Sequence, residues 1–263
     1  MVRRPAVVPI LCTRMAPATD LRAAVAENPV WYHSIELAPG LVTPGHIDLR
    51  PTARRVLPQR MEGRALDIGT FDGFWAFELE RRGAQVVAID VESADHAQWP
   101  PIHRERLEAA ARDMEIQLGR GFAIAREALR SRVERVVCPV GELTPEAIGG
   151  PVRHAFLGAL LLHLRDPVGA LERVLHALEP CGRLLLLEPV DPRTTLLHPR
   201  RPVAQFRALA TDFTWWRANL AALRAWLRTA GFTLEGRPQL VFPRGCAGMD
   251  RVPTVALAAR RPA

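Results

Sequence analysis

The sequence has 263 residues, of which 48% are hydrophobic and 24% are charged, and its formal net charge is +7 at neutral pH. The length allows one large α/β domain or two small ones, and the apolar content excludes a disordered or low-complexity chain. No run approaches the roughly 20 apolar residues that cross a bilayer, so a transmembrane helix is excluded as well.

The basic residues, all 35 of them arginines, are distributed unevenly along the chain. Residues 1–60 hold 8 arginines and 4 acidic residues, residues 61–190 hold 15 and 20, and residues 191–263 hold 12 and 4. An acidic centre with basic flanks favours attraction of an anionic substrate or RNA. The alternative interpretation is a set of solvated surface arginines.

The first residues and the cysteines indicate the compartment. Residues 1–16 predict little regular structure, and Pro9 and Thr13 interrupt their apolar run in a way that is not typical of a signal peptide. His96 and His103 flank "WPP" without the spacing of metal ligands. We therefore expect a cytoplasmic protein without a bound metal. Its cysteines lack C-x-x-C spacing and are expected to be reduced: Cys12, Cys138, Cys181 and Cys246.

The chain begins with a segment that predicts a helix followed by turns. Residues 19–29, "TDLRAAVAENP", have a helical pattern that ends at Asn28 and Pro29. Residues 30–51, "VWYHSIELAPGLVTPGHIDLRP", contain two Pro-Gly turn signals. We expect residues 1–60 to form an N-terminal lid and residues 61–263 to form one α/β domain.

From Arg64 the pattern changes to alternating strands and helices. "RALDIG" predicts a buried strand, "FWAFELERRG" predicts a helix ending at Gly83, and "AQVVAID" predicts a second strand. Residues 100–132 have a helical period with a break near residues 119–121. "RVVCPV" and "VRHAFLGALLL" predict the third and fourth strands.

The last part of the chain continues this alternation. "DPVGALERVLHALEPCG" predicts a helix with Asp166 as its N-cap, Pro167 at its first position and Gly182 at its end. "RLLLLEPV" predicts a fifth strand, "WRANLAALRAWLRTAGF" a helix, and residues 232–242 and 253–261 a final antiparallel pair. The alternation predicts a doubly wound, mostly parallel, seven-stranded Rossmann-like sheet with helices on both faces.

Ligands of such sheets bind at the carboxyl ends of the strands. There the first strand leads into D-x-G-x-F-x-G, where Phe71 replaces the middle glycine of a dinucleotide-binding turn. A large side chain at that position disfavours a pyrophosphate but tolerates an adenosine ligand without one. Asp90, 23 residues after Asp67, ends the second strand and could accept hydrogen bonds from ribose hydroxyls. The alternative is a structural strand–turn–helix unit without a ligand.

Five stretches of the chain carry a resemblance to a known family: "WYHSIEL", "TPGHIDLR", "LDIGTFDGFWAFELERRGA", "LGALLLHLRDPVGALERV" and "WWRANLAALRAWLRTAGF". They resemble class I S-adenosylmethionine (SAM) methyltransferases, and in particular the group around the bacterial tRNA wobble-uridine carboxymethyl- and methoxy-type transferases. The resemblance extends from about Asn28 to Arg237. It implies a methyltransferase fold with SAM as the cofactor and S-adenosylhomocysteine as its product.

The resemblance also implies roles for residues along the carboxyl edge of the sheet. The methionine part of SAM would lie against Asp67, Gly69, Thr70 and Gly73, and Phe71 would also belong to the cofactor site. The ribose and adenine would lie against Asp90, Val91, Glu142 and Leu143, and the backbone of Leu157 and Gly158 would meet the methionine amino group.

Two positions depart from the pattern of the carboxymethyl-transferring tRNA enzymes. Those enzymes read the extra carboxylate of their cofactor with a lysine and a tyrosine, and the matching positions here are Thr52 and Leu162. Neither can form an ion pair with a carboxylate, which favours plain SAM. We therefore expect methyl transfer to a small-molecule acceptor, in specialised metabolism. The alternatives are a tRNA-modifying methyl or carboxymethyl transferase and a non-catalytic protein that retains the fold.

Methyl transfer from a sulfonium is an in-line displacement in which the protein mainly positions donor and acceptor. A general base is needed only if the acceptor carries a proton that must leave early. The catalytic candidates are His163, just beyond the fourth strand, and Tyr32 and His33, which could cover the cofactor. The alternatives are packing or turn capping for His163 and a hydrophobic staple for the other two.

Other residues have a functional and a structural interpretation. His46, Asp72 and Glu188 are further candidates for a base, and Glu188 could instead cap a loop. Trp215 and Trp216 either stack on a substrate or pack against the following helix.

Overall fold

The computed structural model of the protein describes residues 18–209, 213–245 and 251–263. Within these residues, seven strands form one central sheet. They are β1 (Arg64–Ile68), β2 (Gln85–Asp90), β3 (Glu134–Val137), β4 (Val152–Gly158), β5 (Leu178–Pro189), β6 (Thr233–Val241) and β7 (Thr254–Arg260).

The strand order of the central sheet is β6-β7-β5-β4-β1-β2-β3. Strands β1 to β5 run parallel to one another, whereas β7 is antiparallel to both β5 and β6. The doubly wound, mostly parallel sheet and its final antiparallel pair are therefore confirmed. The chain places β2 on one side of β1 and β4 on the other. Ligands of such sheets bind in the crevice at this point, where the strand order reverses.

Eight α-helices accompany these strands in the described part of the chain. They are α1 (Ala18–Glu27), α2 (Arg50–Val56), α3 (Phe74–Arg81), α4 (Arg104–Asp113), α5 (Arg120–Ala128), α6 (Pro167–Ala177), α7 (Pro192–Leu197) and α8 (Leu220–Thr229). Single 3₁₀ turns occur at Ala94–His96, Pro101–His103, Val140–Glu142, Glu146–Ile148 and Leu161–His163.

Three pairs of short antiparallel strands lie outside the central sheet. They join Glu36–Ala38 to Leu41–Val42, Ile47–Asp48 to Arg244–Gly245, and Ala204–Phe206 to Trp216–Ala218. The second pair ties the N-terminal segment to the chain that follows β6.

The sheet separates two hydrophobic layers, because successive strand residues point to opposite faces. Leu66 belongs to the layer that α6 and α8 cover, and its neighbour Ala65 belongs to the other layer. That second layer contains α3, α5 and residues of the N-terminal segment, including Trp31, which is 2% exposed. The N-terminal segment thus shares a core with the strands beside it.

Several helix and strand boundaries differ from the sequence prediction, and β5 begins at Leu178, before the predicted "RLLLLEPV". Helix α6 ends at Ala177 rather than Gly182, because Pro180 disfavours a helical conformation of the residue before it. Helix α8 begins only at Leu220, because Asn219 caps it by accepting from the amide of Ala222 at 2.8 Å. Strand β4 ends at Gly158, and residues 161–163 form a 3₁₀ turn instead.

Two predictions concern residues that lie outside the described part of the chain: that residues 1–16 lack regular structure, and that Cys12 and Cys246 are reduced. Cys138 and Cys181 are free thiols. Among the described helices, none has the length and apolar character that a membrane span requires.

Candidate functional site

The register of the parallel strands brings the predicted site residues to one edge of the sheet. Ile68 lies beside Ile89 on one side and beside Leu157 on the other, and Leu157 lies beside Leu186. The residues that follow these positions are therefore neighbours at the carboxyl ends of β1, β2, β4 and β5. Asp67, Asp90, Gly158 and Glu188 all belong to this edge.

The turn after β1 reverses the chain within five residues. The amides of Gly69 and Thr70 both donate to the carbonyl of Ile89, at 2.9 and 3.1 Å, and Gly69 has a φ of +74°. Gly73 has a φ of +91° and precedes α3. A Cβ atom at Gly73 would lie 2.7 Å from the ring of Phe122, so this glycine is required by packing.

Asp67 and Thr70 present two buried polar atoms without hydrogen-bond partners, the Oδ2 of Asp67 and the Oγ1 of Thr70. Asp67 is 1% exposed, and burial raises the pKa of its carboxyl to about 7. The Thr70 hydroxyl acts in the opposite direction, as a positive charge on His33 would, although the hydroxyl makes no hydrogen bond of normal geometry. Buried polar groups are usually paired, so this pair indicates a place for a polar ligand.

Asp90 has both of its carboxylate oxygens engaged by the backbone. Oδ2 accepts from the amide of Phe71 at 2.7 Å and Oδ1 accepts from the amide of Val91 at 2.8 Å. Burial raises the pKa of this carboxyl, and the two amides partly counteract the rise. Each carboxylate oxygen has a second lone pair, so Asp90 can still accept hydrogen bonds from a ligand.

Asp72 connects the turn after β1 to the N-terminal segment. Its Oδ2 accepts from the amides of Tyr32 and His33, at 2.9 and 2.7 Å, and its Oδ1 pairs with the Nδ1 atom of His33. Asp72 is 1% exposed and His33 is 5% exposed. Asp72 therefore attaches the segment around Tyr32 and His33, which was predicted to cover the cofactor, to the carboxyl edge of the sheet. The sequence pattern did not indicate this role of Asp72.

The aromatic rings of this segment lie over the turn. The imidazole of His33 stacks on Phe74 with ring centroids 5.3 Å apart, and the ring of Tyr32 lies 5.6 Å from that of Phe71. Burial raises the pKa of Tyr32, and the negative charges of Asp72 and Glu188 add to the rise. The phenol of Tyr32, a residue that is 39% exposed, therefore carries its proton at neutral pH and can donate a hydrogen bond.

Glu188 shapes the chain that follows β4. It is 1% exposed, and its Oε1 accepts from the amides of Leu160 and Leu161 at 2.7 and 2.6 Å. Burial raises the pKa of Glu188 to about 8, against the effect of these amides. This geometry supports the alternative in which Glu188 caps a loop.

His163 lies on the same edge but beside a different set of side chains. Its ring stacks on Phe213 at a centroid distance of 4.7 Å, and its Nδ1 is 3.4 Å from the Phe213 carbonyl. The indole nitrogens of Trp215 and Trp216 donate to the carbonyls of Gln98 and Leu164, at 2.5 and 3.1 Å. These bonds give both tryptophans structural partners, which lie in other parts of the chain than the following helix.

The remaining predicted residues differ in their exposure. Leu143 is 1% exposed and packs in the hydrophobic layer that α6 and α8 cover, whereas Glu142 is exposed and Val91 is half-buried. Leu157 is fully buried and the following Gly158 is half-buried. His46 is exposed.

Thr52 is buried in α2, and the carbonyl of Leu162 accepts from the amide of Trp215 at 2.7 Å. In the described part of the chain, no group of three or more histidine, cysteine, aspartate and glutamate side chains is placed to hold a metal ion.

The sheet order, the flanking helices and the turn after β1 define the fold of class I SAM-dependent methyltransferases. No protein-family profile matches the chain, and no curated protein sequence matches it. The comparisons that establish the fold are with solved structures of at most 21% sequence identity.

One of these structures is the 1,6-didemethyltoxoflavin-N1-methyltransferase of Burkholderia thailandensis with bound 1,6-didemethyltoxoflavin and S-adenosylhomocysteine. It is 21% identical, the match covers 82% of this chain and 78% of that one, and the TM-score is 0.54. A SAM-dependent methyltransferase of Methanosarcina mazei is 18% identical, with 82% and 99% covered and a TM-score of 0.51. The N-methyltransferase NodS of Bradyrhizobium japonicum, in complex with S-adenosylhomocysteine, is 12% identical, with 81% and 87% covered and a TM-score of 0.52.

Proposed function

We propose that this protein is a SAM-dependent methyltransferase that acts on a small-molecule acceptor. The observation that carries the proposal is the pair of buried, unpartnered atoms at the end of β1, the Oδ2 of Asp67 and the Oγ1 of Thr70. They lie on the edge where this fold binds ligands, beside the carboxylate of Asp90. A structural turn without a ligand would leave these two atoms with at most each other as partners, at a cost of about 1–3 kcal/mol.

These residues fit the chemistry of SAM. The methionine end carries an ammonium group, which the acceptor atom of Asp67 can bind, and the ribose carries two hydroxyls, for which Asp90 has free lone pairs. The side chain of Phe71 is compatible with SAM because SAM has no pyrophosphate. Residues proposed to complete the binding site are Gly69, Gly73, Val91, Glu142, Leu143, Leu157 and Gly158.

SAM, when bound, supplies an electrophilic methyl group. The residues of the chain bind and orient the reactants and exclude water, and the segment around Tyr32 is suited to the last task because its ring lies beside Phe71. For an acceptor that carries a proton, the candidate bases are His33 and His163, and the protonated phenol of Tyr32 would orient the acceptor as a donor.

Calorimetric titration of the full chain with S-adenosylhomocysteine tests the cofactor assignment. We expect binding in the micromolar range, and a marked loss of affinity in Asp67→Asn, which replaces the anionic partner of the ammonium group with a neutral one. Glu134→Gln is a control that also removes one negative charge, because Glu134 is exposed at the amino end of β3. The proposal would be refuted if the wild-type protein bound neither S-adenosylhomocysteine nor SAM.

A screen with methyl-labelled SAM identifies the acceptor class. The screen presents a small-metabolite extract and, separately, total tRNA from the producing organism. We expect label in the metabolite fraction. Label in tRNA would favour the alternative that the 12 arginines and 4 acidic residues of residues 191–263 suggest. Ligand binding without transfer to either fraction would favour a non-catalytic protein that retains the fold.

A further inference from the structure

We propose that Asp72 is a positioning residue that fixes His33 as the Nδ1–H tautomer, so that its unprotonated Nε2 accepts a proton from the acceptor substrate. The proposal rests on the methyltransferase function proposed above. It assigns His33, rather than His163, as the base, and it gives a function to a carboxylate that the cofactor assignment leaves unused.

The hydrogen bonds of Asp72 determine where the imidazole proton lies. An ionised carboxylate only accepts hydrogen bonds, so the ring nitrogen that pairs with Oδ1 of Asp72 must be the protonated one. The other oxygen, Oδ2, is occupied by the backbone amides of Tyr32 and His33. The same carboxylate therefore holds the backbone of His33 and the orientation of its ring.

The Nε2 atom of His33 has no hydrogen-bond partner among the described residues. The ring is held on two sides, by stacking on Phe74 and by an edge contact with Tyr32 at a centroid distance of 4.7 Å. The imidazole thus has one fixed orientation and one nitrogen that is free to accept a proton.

The position of the ring relative to the cofactor edge follows from its neighbours. His33 is close enough to Asp67 that a positive charge on its ring would lower the pKa of that carboxyl, and Tyr32 lies against Phe71 in the turn after β1. The titratable groups that face His33 are Asp72, Asp67 and Tyr32. His163, in contrast, stacks on Phe213, and its Nδ1 faces a carbonyl oxygen.

The proton transfer is balanced within the chain's own groups. A proton of an N–H or O–H group on the acceptor passes to Nε2 of His33, and the electron pair of that bond stays on the acceptor atom. The resulting imidazolium is stabilised by the adjacent carboxylate of Asp72, as in other Asp–His pairs.

The variant Asp72→Asn separates this role from a structural one. Its carboxamide oxygen can still accept from the amides of Tyr32 and His33, so the segment remains attached. The amide NH₂ then faces Nδ1 and donates to it, which moves the ring proton to Nε2 and removes the acceptor. In serine proteases the corresponding change lowers kcat about 10⁴-fold through the wrong tautomer.

The test is ¹⁵N NMR of the full chain labelled on histidine, with His33→Asn used to assign the His33 signals. We expect Nδ1–H in the wild type and Nε2–H in Asp72→Asn. The proposal is overturned if the wild-type ring carries its proton on Nε2 or if the two proteins have the same tautomer. The wild-type spectrum alone shows whether the ring carries its proton on Nδ1 or on Nε2. The proposal can therefore be overturned even if Asp72→Asn does not fold.

Two further measurements distinguish this proposal from the proposed function. Asp72→Asn should bind S-adenosylhomocysteine as the wild type does. Its kcat, on whichever acceptor the labelled-SAM screen identifies, should fall roughly 10²–10⁴-fold with little change in KM. An unchanged kcat overturns the role of His33 while the methyltransferase assignment stands. Absence of S-adenosylhomocysteine binding by the wild type refutes the proposed function, whatever the tautomer.

Discussion

The backbone amide of Phe71 donates a hydrogen bond of 2.7 Å to the Oδ2 atom of Asp90. The bond joins the turn after β1 to the end of β2. Phe71 has a φ of +50°, a left-handed conformation that is uncommon for a residue with a side chain and that the surrounding contacts must stabilise. Asp90 therefore holds the turn in shape in addition to its proposed contact with the ribose.

Replacing Asp90 by alanine should weaken binding of S-adenosylhomocysteine by about 1–3 kcal/mol, because buried hydroxyls and the Phe71 amide lose their acceptor. Asp90→Asn retains one acceptor oxygen, so its affinity for S-adenosylhomocysteine should lie between those of Asp90→Ala and the wild type. The measurement is isothermal calorimetry, with the exposed Glu92→Ala as a control that should bind normally. Unchanged affinity in Asp90→Ala would mean that the ribose binds elsewhere.

Gly73→Ala should lower the free energy of unfolding by about 2–4 kcal/mol, since the new Cβ would contact the rings of Phe77 and Phe122 in a left-handed backbone conformation. Gly236→Ala is the matched control. Gly236 also has a positive φ, of +62°, but a Cβ there meets nothing within 4 Å, so only the backbone strain of about 1 kcal/mol applies. Urea unfolding measures the free energy of unfolding of both variants. Equal losses in Gly73→Ala and Gly236→Ala would contradict a packing role for Gly73.

The buried carboxyl of Glu188 should make stability depend on pH. Its pKa is about 8 in the folded protein and near 4.5 when unfolded, so between these values the folded state binds more protons. The free energy of unfolding then decreases as pH rises through this window, by at most about 1.4 kcal/mol per pH unit.

Glu188→Gln removes this contribution and retains an oxygen for the amides of Leu160 and Leu161. The variant should therefore become progressively more stable than the wild type as pH rises from about 5 to 8. Urea unfolding of both proteins over this range checks the prediction. Parallel curves for the two proteins would show that Glu188 does not titrate in the window.

Asp67 should couple ligand binding to pH. Its pKa of about 7 in the free protein means that a large fraction is protonated near neutrality, whereas a bound ammonium group favours the carboxylate. Affinity for S-adenosylhomocysteine should rise between about pH 6 and 8, with release of a proton on binding. Calorimetry in buffers of different ionisation enthalpy counts that proton. Asp67→Asn should show no such release, and equal release in both proteins would exclude Asp67 as its source.

The regular elements were predictable because their signals are local. The apolar runs "RALDIG" and "AQVVAID" became β1 and β2, and Asp166 caps α6 by accepting from the amide of Gly169 at 2.8 Å. Errors arose where a distant segment competes with a local pattern. Trp216–Ala218 reads as the start of a helix but pairs with Ala204–Phe206, a strand that the sequence did not indicate.

The sequence by itself determined the chain order of the seven central strands, most of the helices between them and the turn at Gly69, because each depends on periodicity and on residues within one turn of one another. It did not indicate α2 or α7. Only the tertiary structure decided the partners of the buried carboxylates. Asp72 meets Tyr32 and His33 across about 40 positions of sequence, and Glu188 meets the amide of Leu160 across 28. Such contacts follow from which elements pack together and how far each carboxyl is removed from water, which no local pattern encodes.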